Sequence, residues 1–297
     1  MSEYTRHSGI GRGRIWARRL VALVVVALVL VGGAWAGVSL VRDDAPPPPP
    51  PEPPPLARLR IIFPEGFTLR EMAARVNAVR DIAISKRGVT PRVTSAGYVR
   101  ATRRAQPPKE FRKDWDGESL EGFLFPATYE FTKLTTSEKL VSDQLRAFRR
   151  QWSKVDLRYA KSRNLTPYDV LTIASMIEKE AVAAKERPLV AAVIYNRLRI
   201  GEVLGIDATI RYGLNVPGTE SLRESHIESD NPYNTRRRAG LPPTPIANPG
   251  LASIRAAARP AKVDYLFFVR KPDGVHHFFT NSRAEFERKS CEYGFSC

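Results

Sequence analysis

The sequence predicts an α+β protein with a single N-terminal transmembrane helix, and three observations carry that prediction. Helical and strand patterns both occur, but they are segregated along the chain rather than alternating. One run near the start, Leu20 to Val41, is apolar and carries no charge. The 297 residues leave enough chain beyond that run for one or two domains with a proper core.

The anchor comes first. Residues 20–41 at about 1.5 Å each span roughly 33 Å, the thickness of a hydrocarbon core. Arg6, Arg12, Arg14, Arg18 and Arg19 precede the run, and Arg42, Asp43 and Asp44 follow it. The basic excess is therefore N-terminal, which places residues 1–19 in the cytoplasm and the bulk of the chain outside. Ala34-Trp35-Ala36 resembles a signal-peptidase site, but the run is long for a signal peptide, so an uncleaved single-pass anchor in the plasma (inner) membrane is expected. Residues 42–57 form a linker, because Pro46 to Pro55 is almost pure proline with Glu52 inside it. Such a run is a stiff polyproline II spacer of about 3.1 Å per residue.

The folded part should begin near Arg58. Leu59 to Phe63 reads as a strand, and Pro64-Glu65-Gly66 as a turn. Thr68 with Glu71 three residues later makes a capping box, followed by an apolar stripe through Leu69, Met72, Ala73 and Val76. Residues 81–117 are weakly patterned, and no element is placed there. The Thr128–Phe131 end of FLFPATYEF reads as a strand, and Ser137 to Trp152 as an amphipathic helix. Thr166-Pro167-Tyr168-Asp169 starts a helix expected to run to about Ala184. Pro188 opens the next, which ends at Gly201, so the two form a helical hairpin. Tyr265–Arg270 and Val275–Phe279 flank Lys271-Pro272-Asp273-Gly274, a β-hairpin signal.

The formal charge of +16 invites a nucleic-acid reading, but the basic residues are spread along the whole chain without a binding motif. A protein working beside an anionic surface, such as lipid headgroups or a cell wall, fits better. Only Cys291 and Cys297 occur, with no C-x-x-C pair, so zinc and thioredoxin chemistry have no support. Outside the membrane these two can close a small disulfide loop or remain thiols. Among the four histidines none sits at metal spacing, and no nucleophile elbow, phosphate loop or dinucleotide fingerprint is present. Neither a metal nor a cofactor is expected.

The chemistry concentrates in Leu171 to Gly201, where Glu178 and Glu180 stand in a run otherwise built from Ala, Ile, Val and Leu. A carboxylate beside an apolar helix face is poorly solvated, and its protonated form is favoured. On a helical wheel Glu178 borders the apolar face on one side and Glu180 on the other, so they are not a dyad on one wall. Pattern alone leaves open that both are ordinary flanking charges, paired with Lys185 or Arg187. His276 and His277 are adjacent and would face opposite sides of a strand. Asp207 and Asn231-Pro232-Tyr233-Asn234-Thr235 lie in turn-rich segments, whose side chains suit either turn chemistry or hydrogen bonds to sugars.

The motifs IASMIEKEA, VIYNRLRIG, IDATIRYG, NPYNT, GLPPTPIANPG and AAARPAKVDYLFFV follow one another in this chain. Together they resemble the endolytic murein transglycosylase (YceG-like) family, from about Glu121 to Asn281. Residues 58–120 resemble, more weakly, that family's small LysM-like subdomain and its connection, which leaves 121–297 as a catalytic domain of helices and a β-hairpin. The resemblance implies cleavage of the β-1,4 bond from N-acetylmuramic acid to N-acetylglucosamine inside peptidoglycan glycan strands, leaving a 1,6-anhydro end. It implies action as a strand terminase beside cell-wall synthesis proteins. One glutamate serves as acid and then base, and it matches Glu180. Glu178, Arg197, Asp207, Tyr212, Tyr233, Asn234, Thr235 and His276 match positions implied to contact the glycan. The chain departs from the family pattern at Gly205, Glu285 and Phe286. The alternative is a membrane-anchored peptidoglycan-binding scaffold that keeps the fold without the activity.

Overall fold

Leu59–Ile62 (β1) and Thr128–Phe131 (β2) are far apart in the chain yet pair antiparallel, Leu59 opposite Phe131 and Ile62 opposite Thr128. A computed structural model describes residues 12–40, 56–115 and 117–295. The stalk prolines, most of the basic tail and Cys297 lie outside the described residues. The chain divides into two units at Pro55 and Leu56.

The first unit holds helix α1 (Arg12–Leu40). Its span Trp16–Gly37, 22 residues, is long and apolar enough to cross a membrane, and its large apolar side chains are exposed.

The second unit begins with β1. Thr68 and Glu71 form the expected capping box at the start of α2 (Leu69–Arg87), which stops at Gly88 in the left-handed region. Ser95–Arg104 (α3) and Ser137–Trp152 (α4) are each capped by a threonine, Thr94 and Thr136. The buried positions of α3 are Gly97, Tyr98, Ala101 and Thr102, too small and polar to produce a legible apolar stripe. Tyr98 donates to Gln144 at 2.7 Å, so both polar groups are satisfied in the core. Phe111, Phe123, Phe148 and Trp152 pack edge-to-face or stacked, with centroids 4.8 to 5.6 Å apart.

No seam appears at residue 120. A four-residue strand is not stable alone, and β1 finds its partner, β2, beyond that point. Leu59, Ile61 and Phe63 share one core with Phe123, Leu124 and Leu171. The α2 region is therefore built into the same unit as the rest and does not stand as a separate small body.

After the short α5 (Arg158–Ser162), α6 (Pro167–Glu180) runs through the centre of the unit. Val170 to Ile177 are buried without interruption, so this is a core helix and not the one-faced helix its pattern suggests. Its polar Ser175 is satisfied, donating to Thr172 O and accepting from Ile246 N–H. Helix α6 ends at Glu180, short of Ala184, because Ala181 turns extended (φ −85, ψ 101). A 3-10 turn, Ala184–Glu186, then leads into α7 (Arg187–Ile200). Helix α8 (Asp207–Leu214) shows that Asp207 opens a helix and not a turn. The short α9 (Glu224–Ile227) follows, and then α10 (Leu251–Ala258), which packs on α6 and α7.

Phe267–Arg270 (β3) and His277–Thr280 (β4) form the expected hairpin, with Arg270 opposite His277. Asn196 of α7 donates to Val263 O and Tyr265 O, fixing the entry to β3. Helix α11 (Arg283–Glu292) packs on both strands. Cys291 is disulfide-bonded.

Candidate active site

Because α6 stops at Glu180, its last side chain leaves the core at a helix end instead of a helix flank. The side chain keeps 14% exposure and lines a groove of about 1080 Å³. Burial raises its pKa to about 7, with Asp207 adding in the same direction and Arg270, the Ala208 N–H and Arg236 opposing. Arg270 Nη2 lies 3.9 Å from Glu180 Oε2 and 3.5 Å from its main-chain oxygen. Asp207 is held by Arg236 at 2.6 Å. Near neutral pH the Glu180 carboxyl is thus poised both to give and to take a proton.

The groove is walled by the start of α2 (Thr68, Arg70, Glu71), the start of α8, the β3–β4 hairpin, α11 and Phe295. Arg197, Asp207 and Tyr212 are on this wall. The Arg197 guanidinium is largely committed to chain oxygens, those of Leu266, Val203 and Leu204. Its flat face also lies over Phe267 at 4.9 Å. Gly205 and Phe286, two of the departures from the family pattern, line the groove as well.

Other expected contacts lie elsewhere. Glu178 points to the opposite flank of α6, where it accepts from Gly250 N–H at 2.9 Å and pairs with Arg187 at 3.8 Å. This is one of the ion pairs that the sequence left open, and it is consistent with residues two apart on a helix. The Glu65 carboxylate occupies the space that a Cβ at Gly250 would take. Asn234 is fully buried and donates to Ile227 O and Ser229 O. Thr235 is buried against Thr209, 2.9 Å between hydroxyls. The Tyr233 ring packs on Tyr212 and its hydroxyl meets Thr244 at 2.8 Å. Tyr233 and Thr235 fasten α8, and Asn234 holds the end of α9, so their hydrogen-bonding groups have partners within the fold. His276 sits in the hairpin turn bonded to Asp273 at 3.0 Å, while its neighbour His277 lines the groove. The swap follows from alternation along a strand.

A further carboxyl, Glu121, is 2% exposed, and no local pattern marks it. It accepts from the Leu69 N–H at 3.0 Å, Asn248 Nδ2 at 2.6 Å and the Tyr212 hydroxyl at 3.3 Å. It therefore ties the start of α2 to α8 behind the groove wall. Gly122 follows at φ +89, where a Cβ would strike Pro245, and this close approach tucks Glu121 inward. Burial raises its pKa to about 7, with Glu71 adding to the rise and the Leu69 N–H, the Tyr212 hydroxyl and the Gly122 N–H opposing it. A carboxyl with raised folded-state affinity gives stability that is full below about pH 4.5 and is lost as pH rises through about 7. Chemical denaturation of Glu121→Gln should lack this share of the slope, worth on the order of 3 kcal/mol between pH 4 and 8. A constant stability difference between variant and wild type over that range would refute the assignment.

Among the described residues, no three His, Cys, Asp or Glu side chains gather closely enough to hold a metal ion.

Fold and groove together define an α+β unit in which a largely buried carboxyl of raised proton affinity, Glu180, lines a groove of mixed polar and apolar character. Residues 52–292 match the YceG-like family, and the chain belongs to it. An endolytic murein transglycosylase of Bacillus subtilis (strain 168) is 32% identical over 241 residues, 79% of this chain and 65% of that protein. One of Streptococcus pneumoniae (strain ATCC BAA-255 / R6) is 36% identical over 182 residues, 59% of this chain and 32% of that protein. The chain thus spans from about one third to just under two thirds of the length of these curated relatives. The crystal structure of a yceG-like protein from Listeria monocytogenes superposes with a TM-score of 0.64 at 28% identity, covering 78% of this chain and 76% of that one.

Proposed function

We propose that this protein is an endolytic peptidoglycan lytic transglycosylase held in the plasma (inner) membrane by α1, with the unit from Leu56 onward outside. The observation that carries the reading is Glu180, a carboxyl poised near neutrality in the groove of a chain whose family relatives bear that name. Protonated Glu180 donates to the glycosidic oxygen between N-acetylmuramic acid and N-acetylglucosamine, and the bond from that oxygen to C1 breaks. The muramic 6-hydroxyl oxygen bonds to C1, and its proton passes to the Glu180 carboxylate. The acid is restored and no water is consumed.

Ordinary glycosidases need two carboxyls to manage water or a covalent intermediate. An internal hydroxyl removes that need, and here the neighbouring Asp207 is engaged by Arg236. A groove of about 1080 Å³ has room for several sugar units of a glycan strand. The α2 start, read as the glycan-gripping LysM-like part, supplies one wall. Cutting nascent strands beside the synthesis machinery would make the protein a strand terminase.

The test is digestion of purified uncrosslinked glycan by the detergent-solubilised full chain. Internal fragments ending in 1,6-anhydro-muramic residues, one water lighter than hydrolysis products, are expected. Reducing ends or undigested strands would overturn the reading. Protease added to intact protoplasts should degrade the unit from Leu56 onward, and full protection would refute the orientation.

A further inference from the structure

Glu180 must lose a proton and then regain it, so whatever holds its ionised form governs both halves of the cycle. Arg270 is the cation whose side chain comes within 4 Å of the Glu180 carboxylate among the described residues. The same guanidinium reaches the Glu180 main-chain oxygen, one of the carbonyls left unpaired where α6 ends. A cation at a helix C-terminus is favourable there in its own right. Arg270 thus grips both ends of the one residue, its backbone and its carboxylate.

What fixes Arg270 is a buried clamp. Directly across the hairpin, His277 is 5% exposed and its N–H donates to the Glu186 carboxylate at 3.1 Å. The His277 Nδ1 lies 2.9 Å from the same carboxylate. Glu186, also 5% exposed, ends the 3-10 turn that follows α6. The segment leaving Glu180 therefore holds β4, and β4 holds β3 in register with Arg270 aimed back at Glu180. From the other side come Asp207 and the Ala208 N–H of α8, with Arg236 neutralising Asp207. Lys179, the residue before Glu180 on α6, turns its ammonium to Gly66 O.

We infer that Arg270, aimed by the Glu186–His277 clamp, is a positioning residue that stabilises the Glu180 carboxylate formed when the glycosidic bond breaks. This role requires Glu180 to be the acid–base of the proposed cleavage. With Arg270 present, Glu180 is the stronger acid for the bond-breaking half, and the carboxylate is kept in place for the return proton from the 6-hydroxyl. Without it the carboxylate is costlier to form and free to swing.

The experiment compares wild type, Arg270→Gln and Arg270→Lys as full-length protein in detergent. Two readouts are followed against pH: kcat/KM on uncrosslinked glycan, and the titration of Glu180 by carbonyl-carbon NMR. An arginine beside an acid lowers its pKa by about 1–3. Arg270 is 42% exposed, so the expected upward move of both the falling limb and the NMR midpoint in Arg270→Gln is about 0.5–1 pH unit. kcat should fall by about 3–10-fold with KM little changed, matching that change of proton affinity. Arg270→Lys should restore most of both. Asp207→Asn should move the NMR midpoint the opposite way. An unmoved midpoint, or a rise in KM alone, would overturn the inference. Wild-type protein that makes no anhydro ends refutes the cleavage reading instead, while the NMR midpoint still tests the electrostatic contact.

Discussion

Glu180→Gln should abolish formation of anhydro ends while the protein stays folded and still binds glycan. Glutamine keeps the size and hydrogen-bonding oxygen of the acid but neither gives nor takes a proton at this pH. Acid–base help is typically worth about 10²–10⁴-fold, and here one group serves both halves of the reaction, so the loss should reach or exceed the top of that range. Folding should not suffer, because the buried carboxyl sits at a raised pKa of about 7 and its ionisation opposes the folded state. Above neutral pH the variant should even be slightly more stable than wild type. Glu178→Gln makes the contrast. Its carboxylate serves Gly250 and Arg187 on the other flank, so that variant should lose stability more than turnover. Digestion of sacculi by the two variants, beside their thermal melts, checks both statements. A dead Glu178→Gln next to an active Glu180→Gln would sink the assignment.

The local signals in the sequence were strong where they rested on caps and turns. Thr68 with Glu71, Thr166 with Asp169, and the Lys271–Gly274 turn all place their elements, because each satisfies backbone groups within a few residues. The separation of Glu178 from Glu180 was likewise legible, since helix geometry alone dictates it. Long-range features were not. Glu121 stands in EGFLFP with nothing nearby to mark it, and its donors come from Leu69, Tyr212 and Asn248. Arg270 looks like an ordinary strand end until the hairpin folds back on α6. The polar residues of NPYNT carry the groups that sugars need, and no local pattern tells that their partners are internal. His277 and His276 differ only in strand parity, which the hairpin register decides.

Removing residues 58–80 should unfold the whole unit from Leu56 onward, and with it lose glycan binding and turnover together. The resemblance of residues 58–120 to a small LysM-like subdomain suggests instead that this deletion would weaken glycan binding more than turnover. In the structure it is one wall of the groove, and its β1 is the strand that β2 pairs with. Leu59, Ile61, Phe63, Met72 and Val76 are at most 5% exposed. At about 1.5–3 kcal/mol for each large side chain, their loss comes to on the order of 10 kcal/mol, which matches the whole stability of a typical domain at roughly 5–15 kcal/mol. Polar losses add to this. The Glu121 carboxyl would lose the Leu69 N–H, and Asn248 would lose the Phe67 oxygen that it holds through both its side chain and its N–H. Buried groups left unpaired cost about 1–3 kcal/mol each. A substitution on the groove rim, Arg70→Ala, touches none of these contacts and should leave the melting transition in place. Circular dichroism and limited proteolysis of the deleted chain decide the matter. A cooperative melt with turnover retained would show that the segment is a separable module after all.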